Sequence, residues 1–203
     1  MPKRNVRIVV VVASLGGLDA LTRILAELPS AFPAAIAVVQ HRGMSLPNLL
    51  GEILQPRTKL HVKNAADGEA IQPGVVYIAP PGVHLVVEMS QRFALRDGVK
   101  VKHVRPSGDV LFESAAEAFG PEVVGLVLTG GDGDGADGVV AIKRCGGTVI
   151  SQDEATARDA SMPRSAIATG DVDYVLPLAA IGAKLQELVF GGGNSPNPPI
   201  AFA

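Results

Sequence analysis

The sequence predicts an α/β fold: a doubly wound, mostly parallel sheet with helices on both faces and a small antiparallel hairpin appendage. Three observations carry this prediction. Short runs of Val, Ile and Ala, closed by small or turn-forming residues, read as strands buried on both faces. Stretches with leucines at helical spacing alternate with them. A strand-helix-strand-helix order requires right-handed crossovers and hence a parallel sheet.

The first strand, Ile8–Ala13, follows Lys3, Arg4 and Arg7, a start that imitates a secretory leader. The apolar run is too short for that role. A leader needs roughly 7–15 apolar residues and a membrane span about 20. No membrane insertion is expected, and the expected location is cytoplasmic. Leu18, Leu21, Leu25 and Leu28 then mark a helix over 18–28, stopped by Pro29. An apolar strand at 36–39 ends at Gln40-His41, and a helix is expected over 46–54.

The middle of the chain changes character. Short β-type runs at Val75–Ile78, 84–88 and 93–95 are separated by Pro80-Pro81-Gly82 and Ser90-Gln91. That spacing predicts the hairpin or small antiparallel appendage. A helix at 109–119, a buried strand at 123–128, a weak helix at 135–144 and a strand at 148–151 follow. The last element is an amphipathic helix at 178–189. Residues 1–189 are expected to form one domain, and 190–203, rich in Gly, Asn and Pro, a flexible tail.

Composition narrows the function. With 18 Lys+Arg against 20 Asp+Glu the net charge is −2, which argues against a dedicated nucleic-acid binder. A hydrophobic share of 47% excludes a disordered chain. The single Cys145 excludes an internal disulfide framework and fits a reducing compartment. Glycine is abundant, at 23 residues, and a compact domain needs a reason for that.

In open α/β sheets ligands bind beyond the carboxyl ends of the strands. Ser14 follows the first strand, His41 the second, and Asp132 and Asp134 follow the strand at 123–128. A Ser, a His and an Asp from three such loops can converge as nucleophile, base and orienting carboxylate. Small residues around Ser14 allow a sharp strand-to-helix turn. The helix behind it aims free N–H groups at the same spot. One such donor to an oxyanion is worth about 2.7–4 kcal/mol in a comparable hydrolase.

Other motifs fail. Val12 stands where the nucleophile-elbow pattern needs glycine, and the order Ser, His, Asp differs from that of the α/β-hydrolases. The dinucleotide fingerprint and the phosphate-binding P-loop are absent. The Asp-rich loop 131–138 fails as an EF-hand, because Ala136, Asp137 and Lys143 occupy its fifth, sixth and twelfth positions. No metal and no cofactor are expected. Ordinary roles stand beside the sharp ones: Ser14 as a helix N-cap, His41, His61, His84 and His103 as loop histidines, Cys145 as packing. The basic stretch Arg92, Arg96, Lys100, Lys102 and Arg105 reads as a solvated hairpin edge, or as a docking patch for an acidic partner.

Six stretches in order are similar to one family. They are Ala13-Ser14-Leu15-Gly16-Gly17-Leu18, Val38-Val39-Gln40-His41, Tyr77-Ile78-Ala79-Pro80-Pro81, Arg105-Pro106-Ser107-Gly108-Asp109-Val110-Leu111-Phe112, Leu128-Thr129-Gly130 with Asp134-Gly135, and Met162-Pro163-Arg164-Ser165-Ala166-Ile167. Through them, nearly all of residues 6–189 resembles the catalytic domain of the chemotaxis protein-glutamate methylesterase (CheB-type) family. The resemblance implies a serine hydrolase with Ser14 as nucleophile, His41 as base and Asp134 as orienting carboxylate. It implies removal of methyl groups from glutamyl γ-methyl esters of methyl-accepting chemoreceptors or related signalling helices, with deamidation of glutamines in some members.

The expected oxyanion donors are the N–H groups of Leu15, Gly16 and Gly131. The expected site lining is Gly17, Gln40, Arg42, Asp132, Met162 and Arg164. Ser14 Oγ, His41 and Asp134 are expected to form a hydrogen-bonded line.

The chain departs from the family pattern at Leu15 and in Gly131-Asp132, where the family usually has Met-Gly. Asp132 thereby adds a charge beside the site, able to raise the pKa of its neighbour or of His41. Seven residues precede the first strand, so the resemblance points to the branch without a fused receiver domain, any receiver lying on another chain. The alternative reading is a non-catalytic phosphate- or carboxylate-binding signalling module of the same fold.

Overall fold

The computed structural model describes residues 6–42 and 49–191. Its centre is a strand, β1 (Ile8–Ala13), in which every residue is buried. The side chains alternate. Val9 and Val11 face one apolar layer, Ile8, Val10 and Val12 the other, as period-2 geometry requires. A strand with both faces covered has no polar side to show, so it reads as an unbroken apolar run.

Eight further strands follow: β2 (Ala35–Gln40), β3 (His61–Asn64), β4 (Val75–Ile78), β5 (His84–Val87), β6 (Phe93–Arg96), β7 (Val123–Val127), β8 (Thr148–Gln152) and β9 (Tyr174–Leu176). Seven of the nine form one sheet in the order β3-β4-β2-β1-β7-β8-β9. Every pairing in it is parallel. β5 and β6 pair antiparallel as a separate hairpin.

The helices are α1 (Gly17–Glu27), α2 (Leu50–Leu54), α3 (Gly108–Phe119), α4 (Ala136–Arg144), α5 (Ser161–Ala168) and α6 (Leu178–Phe190). Leu21, Ile24 and Leu25 of α1, Leu54 of α2, and Ile181 and Leu185 of α6 pack on one face of the sheet. Leu111 and Phe112 of α3, Val139 and Ile142 of α4, Met162 of α5 and the hairpin residues Leu85 and Phe93 cover the other.

Several expectations are corrected. Val75–Ile78 is not part of the appendage: it lies in the main sheet between β2 and β3, because Val76, Tyr77 and Ile78 are fully buried there. The hairpin consists of β5 and β6 alone. β3, α5 and β9 are additions to the predicted element order. The helix expected over 46–54 is α2, Leu50–Leu54, within the described residues, and residues 46–48 of it lie outside them. Of the tail expected over 190–203, Phe190 belongs to α6, and residues 192–203 lie outside the described residues.

β1 stands between β2 and β7, and the chain leaves β1 toward β2 and returns on its other side at β7. This is a topological switch point, where loops diverge and a crevice opens. Because the three strands are parallel, their carboxyl ends lie on one edge, with Ala13 paired to Gln40 and Val12 to Val127. Ser14, His41 and the loop after β7 therefore meet.

Candidate active site

The Ser14 turn is built by two pinned peptide groups. The Ser14 carbonyl accepts from Gln40 Nε2 at 2.7 Å and from the Gly17 N–H at 2.9 Å. The Leu15 carbonyl accepts from the Thr129 hydroxyl at 2.8 Å. In a planar trans peptide the N–H points opposite to the C=O. The N–H groups of Leu15 and Gly16 are thus aimed away from Gln40 and Thr129, and neither has an acceptor among the described residues. The Gly131 N–H likewise has none among them.

The cap of α1 is Gly16, with φ 86°, not Ser14. A left-handed residue is needed there, and an added Cβ would meet Arg158 Cβ at 2.8 Å. The N-cap role considered for Ser14 therefore falls to its neighbour. Gly130 supports the turn from behind: a Cβ on it would sit 2.7 Å from Ser14 Cβ and 2.0 Å from Met162 Sδ.

His41 follows β2, its N–H bonded to the Ala13 carbonyl at 2.8 Å. The ring is 8% exposed and lies between two carboxylates. Nε2 is 2.8 Å from Asp134 Oδ2 and Nδ1 is 3.1 Å from Asp132 Oδ2. No hydrogen bond joins the ring to Ser14 Oγ among the described residues, so the expected line runs from Asp134 through His41 to Asp132 instead. Ionised carboxylates only accept, so both ring nitrogens donate and the ring is an imidazolium. Burial pushes the His41 pKa down, but the hydrogen bonds and charges of Asp132 and Asp134 outweigh it and raise it to about 9.

Asp134 is fully buried. Its Oδ1 accepts the Ser107 hydroxyl at 2.6 Å and the Asp109 N–H at 3.1 Å. Its Oδ2 accepts the Gly108 N–H as well as His41. Burial alone would raise this carboxyl, yet the bonds from His41, Ser107, Gly108 and Asp109 hold it at about 2. A carboxylate at the N-terminus of α3 also meets the positive end of the helix dipole. Asp109 in turn accepts the Gly135 and Gly138 N–H groups, each at 2.9 Å, and so ties α3 to the start of α4.

Ser14 and His41 line one cleft of about 700 Å³. Gly16, Gln40, apolar Leu15, Leu18 and Ile53, and the arginines Arg42, Arg57 and Arg158 share it. Leu15 is 51% and Leu18 40% exposed, an unusual amount of bare leucine beside a polar centre. The other candidate residues are placed differently. Gly17 is buried behind Gln40, and Met162 is buried under Gly130. Arg164 turns to Glu154 at 2.8 Å and does not line the cleft.

Sequence reasoning missed Ser107, Asp109 and Thr129 as positioning groups. Ser107 and Asp109 carry a readable signal, a Ser-Gly-Asp step at a helix start, where short polar side chains find free N–H groups. Much of the basic stretch is neutralised within the molecule. Arg96 pairs with Glu88, Arg105 with Asp97 and Lys102 with Asp109 and Asp137. Among the described residues no cluster of His, Cys, Asp and Glu could hold a metal ion, and no helix is long and apolar enough to cross a membrane.

Residues 9–185 match the family model described as CheB methylesterase. A relative from Leptospira interrogans, provisionally named a protein-glutamate methylesterase/protein-glutamine glutaminase, is 42% identical over 91% of this chain and 95% of its own length. The protein-glutamate methylesterase FrzG of Myxococcus xanthus is 43% identical over 90% of this chain and 54% of its own, so the chain spans about half of that relative. The crystal structure of the Thermotoga maritima CheB methylesterase catalytic domain superposes with a TM-score of 0.88 at 40% identity, covering 91% of this chain and all of that one.

Proposed function

This chain belongs to the CheB methylesterase family, and on that premise we propose that it is a serine hydrolase acting on glutamyl γ-methyl esters of chemoreceptors or related signalling helices. Ser14 is the nucleophile, His41 the base and Asp134 the carboxylate that orients it. The observation that supports this reading is the position of all three at one sheet edge. Ser14 and His41 line one cleft, and a buried Asp134 holds His41 Nε2 at 2.8 Å.

The proposed chemistry is a two-step acyl transfer. Neutral His41, with Nε2–H donated to Asp134, takes the Ser14 proton on Nδ1 as Oγ attacks the ester carbonyl. The developing oxyanion is held by the free N–H groups of Leu15 and Gly16, with Gly131 as a third donor. These donors are already oriented, because Gln40, Thr129 and the Met162 N–H hold the carbonyls of Ser14, Leu15 and Gly130 on the other side of the three peptide planes. The tetrahedral intermediate collapses as His41 gives its proton to the departing methanol. Water, deprotonated by His41, then frees the glutamate and restores Ser14. The same attack on a γ-carboxamide expels ammonia, which is the glutaminase activity named for the Leptospira relative.

The exposed Leu15 and Leu18 beside Arg42, Arg57 and Arg158 suit an amphipathic helix with an acidic face. A cytoplasmic setting belongs to the same reading, in keeping with the one cysteine of the chain. The test is methanol release from a carboxyl-methylated receptor fragment. Release by the wild-type protein supports the reading, and its absence across methylated glutamyl substrates overturns it.

A further inference from the structure

We propose that Asp132 is a lock on the catalytic base: its carboxylate occupies the one ring nitrogen of His41 through which the imidazole can serve Ser14, and turnover requires it to let go. The proposal rests on the roles given above to Ser14 and His41.

The two carboxylates on His41 are not equivalent. Asp134 is fully buried and takes four donors: His41, the Ser107 hydroxyl and the N–H groups of Gly108 and Asp109. It has no room and no reason to turn, so Nε2 is permanently engaged. Nδ1 alone remains for Ser14, and Asp132 Oδ2 is on it at 3.1 Å. The Asp132 side chain is 31% exposed, and its only other bond among the described residues is from the Asp134 N–H to Oδ1 at 3.0 Å. Water can replace what it loses on rotating out. One carboxylate is therefore fixed and the other displaceable.

An imidazolium held from both sides is not a base. Other charges face the ring as well. Arg42, Lys100, His103 and Arg105 share a small cavity of about 170 Å³ with it, and Asp109, paired with Lys102, lies behind Asp134. Burial is the largest single influence and opposes retention of the proton, but the hydrogen bonds and charges of the two aspartates together outweigh it. At neutral pH the protonated ring therefore predominates, since the two aspartates raise its pKa to about 9. Unlocking moves the Nδ1 proton to solvent as Asp132 swings into water. The neutral ring keeps its Nε2–H on Asp134 and presents the Nδ1 lone pair to the Ser14 hydroxyl. Asp132 is thus a positioning residue that sets how often the base is available.

The test compares wild type with Asp132→Asn, which keeps shape and the Oδ1 acceptor but removes the charge. Asp132→Ser, which keeps a hydroxyl for the Asp134 N–H, serves as a second variant. Two quantities are measured: the His41 ring titration by NMR on histidine-labelled protein, and the pH dependence of kcat/KM for methanol release. The expected result is a His41 midpoint lower by about one pH unit or more in both variants. The acidic limb of kcat/KM should move with it, with a rate at pH 7 higher on the order of tenfold. An unmoved midpoint overturns the lock, as does a moved midpoint with an unmoved acidic limb. The titration needs no substrate. A protein that releases no methanol fails the functional reading, and the lock is then judged by its ring alone.

Discussion

The Thr129 hydroxyl donates to the Leu15 carbonyl at 2.8 Å, and so a side chain after β7 fixes the backbone next to Ser14. The same oxygen accepts the Asp159 N–H at 3.0 Å, and the Thr129 N–H is held by the buried Gln152 at 3.0 Å. Orientation of the Gly16 N–H is thereby built from the neighbouring strand, not from the turn itself. Thr129→Val keeps the shape and leaves the Leu15 carbonyl without its donor. Stability should fall by about 1–3 kcal/mol in urea unfolding. If the Gly16 N–H serves the oxyanion, kcat should fall on the order of tenfold or more with KM little changed.

Gly130 tests the closeness of the same layers. An alanine Cβ would stand 2.7 Å from Ser14 Cβ, and Met162 Sδ, at 2.0 Å, would have to shift as well. Met162 is flexible and can give way, but the Ser14 turn is pinned at the carbonyls of Ser14 and Leu15. Gly130→Ala should cost about 1–3 kcal/mol. Esterase activity should fall further than stability alone explains. Met162→Ala in the same chain should recover stability better than activity, as calorimetry and a methanol assay would show.

Asp134→Asn tests the orienting carboxylate. The amide keeps the volume but cannot accept all the donors that Asp134 now receives, and it favours the wrong ring tautomer of His41. A loss in kcat on the order of 10⁴ is expected from triad precedent, with far-UV circular dichroism unchanged. A loss of less than tenfold would remove Asp134 from the mechanism.

The fold was legible where the chain buries long elements and obscure where it does not. β1, β2 and β7 are apolar runs between turn residues, and α1 and α6 carry leucines at helical spacing, so local pattern suffices for them. β4 has only Val75–Ile78, and its parallel partner β2 is distant in sequence, with Ile36 paired to Val76, which no local spacing reveals. β9 is three residues long and partly exposed. α5 hides behind Pro163, which is tolerated because the first turn of a helix leaves its N–H groups unbonded.

Within the site, sequence placed Ser14, His41 and the Asp loop at three strand ends, since loop position follows from strand order. It did not reveal that Asp132 bonds Nδ1, because a ring's contacts depend on loop geometry at the scale of an ångström.

The clamp around His41 also predicts a stability profile. The ring titrates near 9 in the folded protein against 6.5 for a free histidine. Its contribution is fully present below pH 6.5 and is lost as pH rises through about 9. The stability gap between wild type and His41→Gln in urea should therefore be widest below pH 6.5 and narrow above pH 9. Asp134, held at about 2, works from the opposite side: its contribution is present above 3.8 and is lost as pH falls through about 2. A gap that does not change with pH would show that the ring is not charged in the folded protein.

The most direct measurement is methanol release from a carboxyl-methylated receptor fragment by wild type and by Ser14→Ala, at equal folded concentration. The account predicts release by the wild type and a loss in turnover on the order of 10⁴ or more in the variant. Equal release by the two proteins would contradict it, because ester hydrolysis would then proceed without the Ser14 hydroxyl.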